Sequence, residues 1–275
     1  MTRELPDIRV EIDQIDEALL DLLNRRAHLA CEVRAAKQKA GVIPADYYRP
    51  EREHSMIADL IKKNQGPLHD QHVKNIFQAI IASSRALQHP LRIGYLGSEE
   101  GESYRALRAH FGLEVEAIAK EAAPALCDAV EADQVEFALL PFEYLDQGVV
   151  APSLEALIAC ALRVVGEVVL QGARFMILGK TKIQKTGHDK TSLLITNIPN
   201  ESGALFRLFE PFHRHHINIS MPVLRPTKKE AWNYIFYLEV AGHEDDANLQ
   251  AALLELQRFA QLKVLGSYPL IASIC

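Results

Sequence analysis

Arg26 and Lys37 are the residues whose placement first suggests chemistry. From Leu5 onward, Ile8, Ile12, Ile15, Leu19, Leu22, Leu29, Val33 and Ala36 follow at steps of three and four, with one slot left between Leu22 and Leu29; this is the spacing of a helical seam. Arg26 fills that slot, the one position of the seam that is not apolar. Lys37 lies 11 residues further on, which places the two cations within roughly 20° of each other and about 16 Å apart along the axis. Two long basic side chains set this way can close on one small anion. An arginine buried in such a stripe, with no carboxylate on its own face, is costly unless the anion comes from outside.

Other polar residues follow the same logic. Arg52 and Glu53 are adjacent in "RPERE", and Ser84 and Gln88 in "SSRALQ" are four apart and share a helical face. Arg9 precedes Arg26 by 17 residues, roughly 25 Å along the helix and about 100° around it. Arg9 can therefore reach the same small ligand only across a dimer.

The elements that must position these groups fall into three blocks, 1–90, 91–180 and 181–275. The first carries almost only helical patterns, broken at "KAGVIPADYYRPERE" and "KNQGPLHD", and predicts one long helix and two shorter ones. Such a bundle is too thin to bury its own seam, so pairing of two chains is expected. In the second block the short apolar runs "LRIGYLG", "VEFALLP", "RVVGEVVL" and "ARFMILG" predict strands, with helices at "YRALRAHF", "APALCDAV" and "SLEALIAC"; this is an α/β lobe. The third reads strand–helix–strand–strand–helix–strand, the order of the ferredoxin-like α+β fold. The fold class expected is thus multidomain: all-α, then a small α/β lobe, then α+β.

Bulk composition narrows the partners. A net charge of −6 lacks the basic footprint of a general nucleic-acid binder. No apolar run is long enough to cross a bilayer, and "MTRELPDIR" has no apolar signal core, so a cytoplasmic chain without membrane partners is expected. Cys31, Cys127, Cys160 and Cys275 form no C-x-x-C pair and suggest neither a disulfide framework nor zinc. His213, His215 and His216 lie at a helix exit without framing carboxylates, so no metal or cofactor is expected.

With these residues in view, block 1–90 resembles the all-helical chorismate mutase domain that opens the P-proteins, the bifunctional chorismate mutase–prephenate dehydratases. The resemblance implies that Arg26, Lys37 and Gln88 are catalytic and that Arg9, Arg52, Glu53 and Ser84 bind substrate, with Arg9 lent by the other subunit. Arg49 stands where some members have an Asp three residues before the Arg-Glu pair. The middle block resembles the dehydratase in reduced form. The loop "GSEEGESY" replaces the usual Gly-Pro-Glu-Gly-Thr-Phe-Ser, and "LLPFEYLDQGVV" lacks the Asn-Ser pair. Gly166-Glu167 meets Arg174-Phe175 almost at once, where the family inserts a second lobe, and Ala173 replaces its catalytic threonine.

The last block resembles the ACT domain. "GALFRLFEPF" matches its helix start, where Gly203 is expected to admit a ligand or a neighbouring backbone. Its Glu-Ser-Arg-Pro effector signature keeps Arg225 and Pro226 but has Val223 and Leu224 for the polar pair, which argues against phenylalanine binding. The expected function is a homodimeric chorismate mutase that turns chorismate into prephenate in phenylalanine and tyrosine biosynthesis, its dehydratase activity lost. Two alternatives are the full bifunctional enzyme and a non-catalytic, amino-acid-responsive partner protein.

Overall fold

The computed structural model describes residues 3–199, 201–226 and 234–270; Cys275 lies outside the described residues. Helix α1 spans Leu5–Lys39, about 50 Å at 1.5 Å per residue. Its ends suit the helix dipole, with Pro6 and Asp7 in the first turn and Lys37 and Lys39 in the last. A 3-10 turn, Pro44–Tyr47, leads to α2 (Pro50–Lys63) and α3 (Asp70–Gln88), the one long and two shorter helices expected.

The seam of α1 is a core stripe by pattern but is uncovered within one chain. Leu5, Ile15, Leu22 and Leu29 are 61%, 52%, 57% and 60% exposed, and Ala30 is the buried residue of the helix. The reason is geometric: α1 packs mainly against α3, which is much shorter and leaves most of the seam uncovered.

The α/β lobe has β1 (Arg92–Leu96), α4 (Glu102–Phe111), β2 (Glu116–Lys120), α5 (Ala123–Glu131), β3 (Phe137–Tyr144), β4 (Gly148–Val149), α6 (Ala151–Ala159), β5 (Arg163–Leu170) and β6 (Ala173–Gly179). Its sheet runs β2-β1-β3-β6-β5, with β4 paired to β3. Strands β1, β2 and β3 are parallel, whereas β6 pairs antiparallel with both β3 and β5. Alternation along β6 sends Met176 and Leu178 to the face covered by α5 and α6, and Phe175 and Ile177 to the face under α4. Tyr47 and Tyr48 from the helical block are buried in that second face, so the two blocks share one core.

The last block has β7 (Asp189–Thr196), α7 (Ala204–Arg214), β8 (Ile219–Pro226), β9 (Tyr234–Ala241), α8 (Ala247–Leu256) and β10 (Gln261–Pro269), with sheet order β10-β7-β9-β8. This is the order expected from sequence. One face packs under α7 and α8 through Leu193, Ile195 and Leu238; the other turns Leu194, Tyr237 and Leu265 into the lobe's core. Val223, at the effector-signature position, also packs against the lobe.

A buried ionic cluster pins this interface. Arg174 on β6 reaches Glu239 at 2.7 Å, Glu143 at 2.9 Å and Glu167 at 3.4 Å, while Lys190 on β7 reaches Glu167 at 2.6 Å and Glu239 at 3.1 Å. The Tyr237 hydroxyl donates to Glu239 at 2.8 Å. Burial alone would lower the Arg174 pKa, but Glu239 and Glu167 hold it above its ordinary value.

Candidate functional site

Arg26 is half-buried between α1 and α3. Its Nη1 donates to Ser84 Oγ and, at 3.3 Å, to the Ile80 carbonyl. The Ser84 hydroxyl in turn donates to Ile80 O at 2.8 Å, the usual i−4 bond of a helical serine. Burial lowers the arginine's pKa, and among the described residues no carboxylate pairs with it. A guanidinium held by two neutral acceptors keeps donors free for an anion.

Lys37, eleven residues on, sits over the 3-10 turn. Its Nζ donates to Asp46 O at 3.2 Å and lies 4.4 Å from the Tyr47 ring centroid. Burial first, then Arg49 and Arg52 against the opposing Asp46, lower its pKa. These three cations share a cavity of about 450 Å³ that Glu51 and Ser55 also line. Arg49 approaches Glu51 at 3.6 Å, and burial raises the Glu51 pKa. The Asp-to-Arg change noted at position 49 therefore adds positive charge to the cavity wall.

The far wall is Gln184, Lys185 and Thr186, from the linker between the lobe and the last block. Lys185 pairs with Asp246 at 2.8 Å, which ties the wall to the start of α8. Sequence reasoning missed these residues, and no local signal could have found them: "IQKTG" is an ordinary polar linker until the chain folds.

The predicted residues are thus brought together in pairs, Arg26 with Ser84 and Lys37 with Arg52. Gln88 is half-buried one turn beyond Ser84, and its side chain makes no hydrogen bond among the described residues. Arg9 is exposed and near none of them within one chain. Glu53, next to Arg52 but about 100° around α2, turns out of this cavity and accepts from Arg85 Nη1 at 2.5 Å. Arg85 is itself buried, with Nη2 donating to Phe111 O at 3.1 Å.

The dehydratase-like lobe is differently placed. Strands β5 and β6 are joined by Gln171 and Gly172 alone, both at positive φ (49° and 80°), as a tight two-residue hairpin requires. Ala173 is 4% exposed and packed in the apolar cluster with Phe175 and Tyr144. Arg174 is committed to the ionic cluster. Gly203 has open space where its Cβ would be, and its φ of +81° at the left-handed entry to α7 by itself calls for glycine. His215 is engaged by Glu255 at 2.9 Å. No described helix is long and apolar enough to cross a membrane.

Comparison with known proteins finds three family models in sequence order: chorismate mutase type II over 8–89, prephenate dehydratase over 93–188 and the ACT domain over 191–258. The bifunctional chorismate mutase/prephenate dehydratase of Stutzerimonas stutzeri is 27% identical, with 97% of this chain and 98% of the relative covered. That of Aquifex aeolicus is 25% identical over the same shares. The Stutzerimonas alignment runs over 359 positions, 84 more than the 275 residues of this chain, so the relative carries a segment that this chain lacks. Among solved structures, prephenate dehydratase from Streptococcus mutans matches with TM-score 0.57 and 26% identity, covering 65% of this chain and 97% of that one. A chain solved as a quorum-quenching acylase matches with TM-score 0.60 and 25% identity, covering 66% and 95%. With all three domains present in the same order and 97% of the chain aligned to such relatives, the protein has the domain organisation of the P-proteins, the chorismate mutase–prephenate dehydratases with a C-terminal ACT domain.

Proposed function

We propose that the chain acts as a cytoplasmic, homodimeric chorismate mutase. The observation that carries this reading is the half-buried Arg26, bonded to Ser84 and without a carboxylate partner, on the same helix as Lys37 in its cationic cavity. Chorismate is a dianion whose rearrangement to prephenate breaks a C–O bond as a C–C bond forms, with no nucleophile or metal required. The protein's task is to hold the compact reactive conformer and to donate hydrogen bonds to the ether oxygen as charge grows there. In this reading Arg26, and Arg9 from the second chain, grip the carboxylates, and Lys37 and Gln88 address the ether oxygen. Arg52 and Ser84 position the rest, while Glu53, held by Arg85 and lining a different cavity, is kept out of this one. The uncovered seam of α1 supports the dimer, and the free thiols of Cys31, Cys127 and Cys160 suit a reducing compartment.

Two readings differ over the second activity. The relatives matched over nearly their whole length are bifunctional by name, and this supports the bifunctional alternative better than loss of the dehydratase. One observation favours loss: the two-residue β5–β6 hairpin, with Ala173 sealed in the core, leaves no cleft at that position. The test of both levels is to supply chorismate and identify every product, then to supply prephenate and correct for its spontaneous breakdown. Catalytic appearance of prephenate supports the mutase, and its absence refutes it. Turnover of prephenate to phenylpyruvate establishes the bifunctional enzyme; no turnover above background establishes loss.

A further inference from the structure

A second cavity, of about 390 Å³, lies on the other side of α2 from Lys37, and none of its lining residues belongs to the first. Its walls come from all three domains: α2 and α3 of the helical block, His110 of α4 and Glu167 of β5 in the lobe, and Pro269 at the end of β10. Its volume falls in the range of small-molecule sites.

The chemistry of the wall is asymmetric. Lys74 and Gln78, one turn apart on α3, line the cavity with His54 of α2, and no side chain of the three makes a hydrogen bond or ion pair among the described residues. Burial lowers the pKa of Lys74; burial and then the neighbouring Lys74 lower that of His54. A half-buried ammonium without a counter-charge is unfavourable and is relieved by an anion. The two carboxylates of the wall are already engaged, Glu53 by Arg85 at 2.5 Å and Glu167 by Lys190 at 2.6 Å, and His110 is bonded to the Tyr48 hydroxyl at 2.8 Å. Opposite Lys74 and Gln78, α2 presents the apolar stripe Ile57, Ala58 and Ile61 in line with His54 and beside Lys62, with Pro50 and Pro269 completing the wall.

We propose that this junction cavity binds a small monocarboxylic acid with an apolar body, its carboxylate on Lys74 and Gln78 and its body against Ile57, Ala58 and Ile61. With both wall carboxylates engaged, the cavity offers nothing to an ammonium group and selects against zwitterionic amino acids. The inference rests on the cavity's own geometry and not on the mutase reading. Because the walls belong to three domains, an occupant also holds those domains together.

The test is calorimetric titration of the full chain with 3-phenylpropanoate, 3-phenylpropan-1-ol and L-phenylalanine. Saturable binding of the acid is expected, with the alcohol and the amino acid at least about tenfold weaker. Lys74→Met is expected to weaken the acid about tenfold and to leave the alcohol unchanged; Ala58→Phe, which fills the cavity without touching a charge, is expected to abolish both. Absence of saturable binding by the acid up to about 10 mM overturns the proposal. So does acid binding that survives both variants, or amino-acid binding as tight as that of the acid.

Discussion

Replacing Lys37 by Ala separates a catalytic role from a structural one. In the proposed mechanism Lys37 donates to an oxygen that gains charge in the transition state, and removing one such donor costs about 10²–10³ in rate, or roughly 3–4 kcal/mol. Its structural contribution is much smaller. The ammonium lies 4.4 Å from the Tyr47 centroid, worth about 0.5–1 kcal/mol at a partly exposed site. Its bond to Asp46 O at 3.2 Å adds on the order of 1 kcal/mol. Against these stands repulsion from Arg49 and Arg52, which the substitution relieves. The net change in stability is thus expected within about 1 kcal/mol, a few degrees in Tm for a chain of this size. The assay follows chorismate loss with product identification, beside a thermal melt on the same preparation. The expected result is a fall in kcat/KM of about 100-fold or more with Tm nearly unchanged. A fall of less than about fivefold, or one that tracks loss of folded protein, refutes the role. The lowered Lys37 pKa adds a pH signature: wild-type activity declines as pH rises through a value below the ordinary 10.5, because the uncharged amine is the weaker donor.

Three further outcomes are expected. Arg9→Ala and Arg26→Ala chains, each nearly inactive alone, should regain activity when co-assembled, since one mixed site then holds both intact residues; no rescue would remove Arg9 from the partner's site. His110, buried against Tyr48, has its pKa lowered by burial to about 3 from 6.5. The unfolded chain therefore binds the extra proton first, and stability is full above pH 6.5 and falls by up to about 1.4 kcal/mol per pH unit towards pH 3. Melts of wild type and His110→Gln from pH 7 to 4 should show a shallower decline in the variant, and parallel curves would refute the assignment. Arg174→Met takes from Glu143 its arginine and leaves Glu167 and Glu239 to share Lys190 and should cost about 3–5 kcal/mol; a melt within 1 °C of wild type would show that the cluster does not pin the interface.

Much of the architecture was legible in the sequence because its periodicities are strong. The three-and-four seam of α1, the apolar runs of β1, β3, β5 and β6, and the alternating elements of the last block depend on local spacing that any chain reveals. The short spacing between Gly166-Glu167 and Arg174-Phe175 implied that a second lobe is missing, and the structure joins β5 to β6 there directly. Strand β2 was not legible: "EAIAK" is five residues of good helix formers at a sheet edge, and pairing with β1 makes it a strand.

The candidate site divided in the same way. The sequence by itself determined that Arg26 and Lys37 share a helical face and that Ser84 and Gln88 share another, because helix geometry is local. Only the tertiary structure decided that Glu53 turns to Arg85 while Arg52 joins Lys37, since adjacent residues on one helix point about 100° apart and packing selects what each one meets. It alone brought Gln184, Lys185 and Thr186 to the wall of the cationic cavity and set Tyr47 and Tyr48 in the lobe's core. These contacts join residues far apart in the chain, where no local periodicity carries information and the burial of apolar surface on folding makes the choice.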